Sequence, residues 1–145
     1  MLTIKIPATQ SEWEQYYDLR FKVLREPWGQ LKGSEILTDE DQSDHAMVVD
    51  DETNEIIGVA RMQTNTHTQG QVRCVAVSPK VQGRGVGKLL MNYLENVAQQ
   101  KGIHEIILDA RENAVKFYLS IGYEIIGDSY LLFGVIPHFR MRKSL

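Results

Sequence analysis

A chain of 145 residues is the size of one ordinary domain, long enough to bury most of the apolar surface that its unfolded form exposes. With 43% apolar and 24% charged residues and only short apolar runs, the composition excludes a membrane-spanning helix and predicts one core. A net charge of −3 argues against bulk attraction to nucleic acid; Cys74 is the single cysteine, so no internal disulfide can form, and no zinc-type ligand cluster surrounds it in the sequence.

The opening MLTIKIPATQ has neither a basic stretch before a long apolar core nor a small-residue cleavage site, so a cytoplasmic location is expected. Residues 3–6 alternate like a short strand. Ser11 and Glu14 fit a capping box, in which the Ser11 hydroxyl accepts a backbone N–H and Glu14 reaches back to the Ser11 amide. Trp13, Tyr17, Phe21 and Leu24 then share one face of the predicted helix, and Pro27, Gly29 and Gly33 end it. The run 36–46, with Asp39, Glu40, Asp41 and Asp44, reads as a solvated loop leading into a strand at 47–49. Residues 55–63 and 71–77 are β-like, and the turns at 51–54 and 64–70 predict three strands joined by hairpins. Cys74 reads as a small buried strand residue.

Val86, Leu89, Leu90, Tyr93, Leu94 and Val97 repeat at helical spacing until Lys101-Gly102 marks a C-terminus. Residues 105–110 are a nearly continuous apolar strand of the kind buried on both faces. A strand, helix, strand unit this short predicts a parallel, right-handed pair. A second helix is expected over 113–121, with Ala114, Phe117, Tyr118 and Ile121 on one face, and strands over 123–133 and 138–143. No repeat, linker or biased segment divides the chain, so 1–145 reads as one domain.

The stretch 77–90, VSPKVQGRGVGKLL, places Gly83, Gly85 and Gly87 between a strand and a helix. Such a loop aims backbone N–H groups from the positive end of a helix dipole, where phosphate is well held. A P-loop needs Ser or Thr after Gly87-Lys88, and Leu89 stands there. A dinucleotide fingerprint counted from Gly85 needs glycine where Leu90 stands. Asp109 falls at the ribose-binding distance, yet hairpins occupy the region where βα units would begin. A tight turn that merely tolerates glycine is the plain structural alternative.

A fourth reading is a resemblance. Gln82-Gly83-Arg84-Gly85-Val86-Gly87 resembles the Q/R-x-x-G-x-G/A motif of the GNAT superfamily of acyl-CoA-dependent N-acetyltransferases. Downstream, the stretch from Asn113 to Tyr123 resembles that family's N-x-x-A-x-x-F-Y-x-x-x-G-F/Y segment, with Asn113 taken as its asparagine. Leu19 to Arg25 and Gly134-Val135-Ile136-Pro137-His138 are similar to the small bacterial ElaA- or YjcF-like branch, although one residue more separates Gly134 from Ile136 than in its G-I-P-H pattern. The resemblance implies an α/β (α+β) GNAT fold. Its mixed, mainly antiparallel sheet would have six to seven strands flanked by helices, with a V-shaped split between the fourth and fifth.

Acetyl-CoA would lie in that split as co-substrate, with no metal. The backbone of Val75, Ala76 and Val77 would pair with the pantetheine amides, and Gln82, Gly83, Arg84, Gly85, Val86, Gly87 and Lys88 would cradle the pyrophosphate. Asn113 would cap its helix, bond the cofactor arm, or do both. The family's acceptor amine attacks the thioester directly, so alignment supplies much of the rate, roughly 7–11 kcal/mol. Tyr118 matches the family tyrosine that donates a proton to the leaving sulfur, against a plain reading as a core aromatic. His138 is the candidate base, against a satisfied strand histidine. His45 is a weaker candidate, His67 and His104 read as surface residues, and a water chain is the remaining option. Cys74 as nucleophile has nothing nearby to activate it.

The acceptor is expected against the first helix, the Glu26-Pro27-Trp28-Gly29 turn and the last strands. Trp28 either walls its pocket or covers core. Arg20 and Arg25 suit a carboxylate in the acceptor unless they are solvated. Asp39, Glu40, Asp41 and Asp44 suit a polyamine- or lysine-like cation unless they are a solvated loop. These hints oppose each other, and the acceptor stays open as a primary amine of a small molecule or peptide. Neither nucleic acid nor membrane is an expected partner, and a homodimer is among the oligomeric states left open. The alternative function is a non-catalytic acyl-CoA-binding sensor on the same fold.

Overall fold

Two overlapping Ser/Thr-x-x-Glu patterns open the first helix, and the chain uses the earlier one. In the computed structural model, which describes residues 1–145, helix α1 (Gln10–Leu24) is capped by Thr9. The Thr9 hydroxyl accepts from the Glu12 amide at 3.1 Å, and Glu12 accepts from the Thr9 amide at 3.0 Å. Glu12 also takes the Ala8 amide and pairs with Lys5, partners that the expected Ser11 box lacks. Ser11 lies inside the helix instead, bonded to Gln15.

The buried face of α1 is centred on Tyr16 and Arg20, both fully buried, with Phe21, rather than on Trp13 and Tyr17. The reason is an ion cluster. Arg20 donates to Glu40 at 2.9 Å and to the Glu35 carbonyl at 3.0 Å, and Arg61 donates to Glu40 at 3.1 Å and to both Asp39 oxygens. The acidic segment expected as a solvated loop is therefore half drawn into the protein. Burial pushes the Glu40 carboxyl up, but the two guanidiniums and the Leu37 amide outweigh it and hold the carboxyl below its ordinary value. His45 belongs to this network, donating from Nε2 to the Glu40 carbonyl and accepting the Tyr16 hydroxyl at Nδ1.

Strands β1 (Leu2–Lys5), β2 (Asp44–Asp50), β3 (Glu55–Thr64), β4 (Gln69–Val77), β5 (Glu105–Arg111), β6 (Glu124–Leu132) and β7 (Ile136–Ser144) form one sheet, ordered β1-β2-β3-β4-β5-β7-β6. Every neighbouring pair is antiparallel except β4 and β5, so the sheet is the mixed, mainly antiparallel one expected. Alternation along the strands divides the core between the two faces. Met47, Val59 and Ala76 pack with Tyr16 under α1, whereas Ala46, Val48 and Ala60 pack on the other face with Val86, Leu90 and Leu94 of α2 (Val86–Gln100). The buried stripe of α2 runs through Met91 and Ala98 rather than Leu89, which is exposed. Its buried Glu95 accepts from Tyr123 at 3.0 Å and Lys143 at 2.8 Å.

The parallel pairing of β4 with β5 covers only Gln69, Gly70 and Gln71 against Glu105, Ile106 and Ile107. Beyond it the strands part. The cause lies in β4, where Arg73 faces Arg61 and Ala76 faces Val59, leaving Cys74 and Val75 opposite Ala60 alone. This extra residue is a β-bulge, and Cys74 takes φ +57°, an uncommon conformation for a residue other than glycine. Cys74 is thus half-buried and kinked, not the plain buried strand residue expected. The bulge turns β4 from its neighbour and opens the V between the fourth and fifth strands.

Candidate active site

The opening between β4 and β5 continues into a cleft of about 330 Å³. Leu24 and Arg25 from the end of α1, Arg73 to Val75 from the bulge, Leu108 to Arg111 from the end of β5, and Tyr118, Tyr130 and His138 line it. Ligands in open sheets gather at the carboxyl ends of parallel strands, and Arg111 is the last residue of β5.

At the neighbouring end of β4 the glycine loop leads into α2. Gly83 (φ +86°) and Gly85 (φ +78°) are left-handed, and a Cβ at either would meet nothing within 4 Å, so conformation rather than crowding requires glycine there. Gly87 differs: a Cβ there would come to 3.0 Å from the Phe117 ring of α3 (Val115–Ser120), so close approach of that ring requires glycine. Gly85 is the N-cap of α2 and offers no side-chain acceptor. No backbone amide from Gln82 to Lys88 donates within the chain, and the first helical bond runs from Leu89 to Gly85 at 3.1 Å. Such a run of free donors at a helix N-terminus fits a pyrophosphate. Arg84 is paired with Asp50 at 3.1 Å, which partly cancels its charge.

Tyr118 is buried and held edge-on by Phe117 and Tyr123, with centroids 5.0 and 5.8 Å away. Burial pushes its phenol well above the ordinary value, so the group stays protonated. His138 lies across the cleft lining on β7, opposite Arg111 in register. Its Nδ1 is 3.0 Å from the Ile136 carbonyl, which can only accept, so Nδ1 carries the proton. Nε2 is then a free lone pair. The Tyr130 ring stacks on the imidazole at 4.5 Å, and burial, with Arg111 adding to it, lowers the pKa below the ordinary 6.5. The extra residue between Gly134 and Ile136 is Val135, which is exposed in the turn and leaves His138 buried.

Of the other expected residues, Val75 lines the cleft, and Ala76 turns its side chain into the layer under α1. Along 74–77, β4 has no strand partner on its β5 side. Arg25 lines the cleft, whereas Trp28, 42% exposed in a short 3-10 turn, lies outside it and covers no core. Asn113 caps nothing: it sits within the 3-10 turn Glu112–Ala114, and α3 has no side-chain cap. Counted back three from Ala114, the asparagine place of the family segment falls on Arg111 rather than Asn113. Arg73, Arg111 and Tyr130 were missed. A charged residue closing the apolar run of β5 was the available signal for Arg111, and nothing local marked the other two.

A bulged mixed sheet, a donor-lined loop and a cleft at the β4–β5 split define a GNAT-type acyltransferase architecture. Residues 25–145 match the family model described as Acetyltransferase (GNAT) domain. The chain is 33% identical over 105 residues to "Uncharacterized N-acetyltransferase YjcF" of Bacillus subtilis, covering 72% of this chain and 73% of that protein. Its fold is similar to Escherichia coli ElaA, with TM-score 0.75, 21% identity and 99% of each chain covered. It is similar also to an aminoglycoside 6'-N-acetyltransferase complexed with coenzyme A, with TM-score 0.81, 18% identity, and 99% and 96% covered. The chain belongs to the GNAT family, and it is an acyl-CoA-dependent acetyltransferase by that membership.

Proposed function

We propose that residues 1–145 act as one unit that moves the acetyl group of acetyl-CoA to a primary amine of a small molecule or peptide. Acetyl-CoA would supply the thioester carbonyl that the amine attacks. The free amides of the loop 82–88 would hold its pyrophosphate, and the unpaired edge of Val75, Ala76 and Val77 would align its pantetheine arm as an added strand. His138 Nε2 would take the proton of the attacking amine. Tyr118, kept protonated by burial, would return one to the departing sulfur, so the two transfers balance.

The observation that carries this reading is the meeting of a neutral imidazole and a protonated phenol in one cleft at the split. A sensor without turnover has no need of an imidazole oriented through Nδ1 with Nε2 free, so catalysis is preferred. Thiol release from acetyl-CoA across an amine panel tests it, with calorimetric titration of acetyl-CoA beside it. Release with at least one amine is expected; binding without release on any amine would favour the sensor.

A further inference from the structure

Five of the chain's eight arginines are ion-paired: Arg20 with Glu40, Arg61 with Asp39, Arg84 with Asp50, Arg140 with Asp109 and Arg142 with Glu105. The remaining three, Arg25, Arg73 and Arg111, have no carboxylate partner, and all three line the same cleft. They come from three separate elements: the end of α1, the bulged part of β4 and the carboxyl end of β5. Arg111 is anchored by one bond from Nη2 to the Leu24 carbonyl at 3.1 Å, and the Arg25 guanidinium lies over the Phe133 ring at 5.4 Å. The Arg73 side chain makes no hydrogen bond within the chain and is exposed.

Asp109 is the only acid in the cleft lining, and both of its oxygens are held by Arg140, with Ser129 adding a third bond. It neutralises none of the three. Arg25 and Arg111 also feel each other, and Arg73 and Arg111 share one neighbour. Burial lowers the Arg111 pKa and Arg25 lowers it further, while Arg73 and Arg111 both act on the Tyr130 phenol, which burial and Asp109 push up. A chain of net charge −3 thus concentrates unpaired positive charge at one concave place. Clefts with low-dielectric walls focus such a field, and arginine forks match carboxylate and phosphate oxygens.

We propose that the amine acceptor carries an anionic group, a carboxylate or a phosphate, which Arg25, Arg73 and Arg111 hold in the cleft. The inference rests on the acetyltransferase reading for the amine, and on the arginines alone for the anion. The acidic residues that pointed to a cationic acceptor do not compete: Asp39, Glu40 and Asp44 are committed to Arg61, Arg20 and Lys101, and neither they nor Asp41 line the cleft.

The test uses matched amines: aminoethyl phosphate against ethanolamine, and β-alanine against its methylamide. They are titrated calorimetrically into protein saturated with coenzyme A and, separately, compared in kcat/KM. An anionic member of a pair is expected to bind and react at least about tenfold better than its neutral partner, and whichever pair shows the preference identifies phosphate or carboxylate. Arg73→Gln and Arg111→Gln should each cut that preference to a few fold with coenzyme A affinity unchanged. Arg73 is exposed and unbonded, so its variant folds even if loss of the Arg111–Leu24 bond proves disruptive. Equal binding of both members, or a preference that survives both substitutions, overturns the inference. So does a fall in coenzyme A affinity in the variants, because the arginines would then serve the phosphates of the cofactor. Anion-selective binding without thiol release supports the anion site and removes the acetyl-transfer reading.

Discussion

The imidazole of His138 is held neutral by its surroundings, and this sets the direction of a pH effect. A general base works only when unprotonated, and burial and Arg111 lower its pKa below 6.5. Activity is therefore expected to hold through neutrality and to fall only as pH drops through that lowered value. In His138→Ala, kcat/KM should be lower and this acidic limb should vanish; a limb that persists in the variant assigns it to another group. Tyr118 acts in the opposite sense, since its raised pKa keeps the proton on throughout the ordinary range. Tyr118→Phe should lower kcat by about 10²-fold or more, the size of a general-acid contribution, with acetyl-CoA affinity within about twofold. Unchanged turnover removes Tyr118 from the role.

Two elements depend on features of opposite kinds. At the N-terminus of α2, Gly85 is needed for its φ of +78°, and a β-branched side chain there costs about 1–3 kcal/mol of strain. Gly85→Val is expected to weaken acetyl-CoA binding about tenfold by calorimetry while the fold is kept, because the new side chain meets no neighbour at its Cβ. Equal affinity would contradict the backbone cradle. Under α1 the controlling feature is the charge cluster. Glu40→Ala would leave two buried guanidiniums without that carboxylate and should destabilise by about 3–5 kcal/mol in urea unfolding. Glu40 and Asp39 both have depressed carboxyl pKa values in the fold, so their stabilisation is present above the ordinary values of 4.5 and 3.8 and is lost as pH falls through the lowered ones. A wild-type acid transition below about pH 4.5, weakened in the variant, is the expected result. Periodicity and punctuation made most elements legible, including α2 and the hairpins. The stripe of α1 was misjudged because period alone ranks Trp13 and Tyr17 above Arg20, and only a distant Glu40 makes a buried arginine stable.

At the scale of the molecule, one bulge organises the site. The family resemblance carried by the glycine loop and by Ala114, Phe117 and Tyr118 downstream implied the split between β4 and β5, whereas the φ of Cys74 that opens it has no local sequence mark. Long-range pairings also decided which arginines stayed free, and for that reason Arg73 and Arg111 escaped notice while Arg20 drew it. The central claim is that the split binds acetyl-CoA and transfers its acetyl group. Free-thiol release followed across the amine panel, with acetyl-CoA titrated calorimetrically into the same preparation, tests it most directly. Saturable binding with amine-dependent thiol release is predicted; no binding of acetyl-CoA would contradict the account.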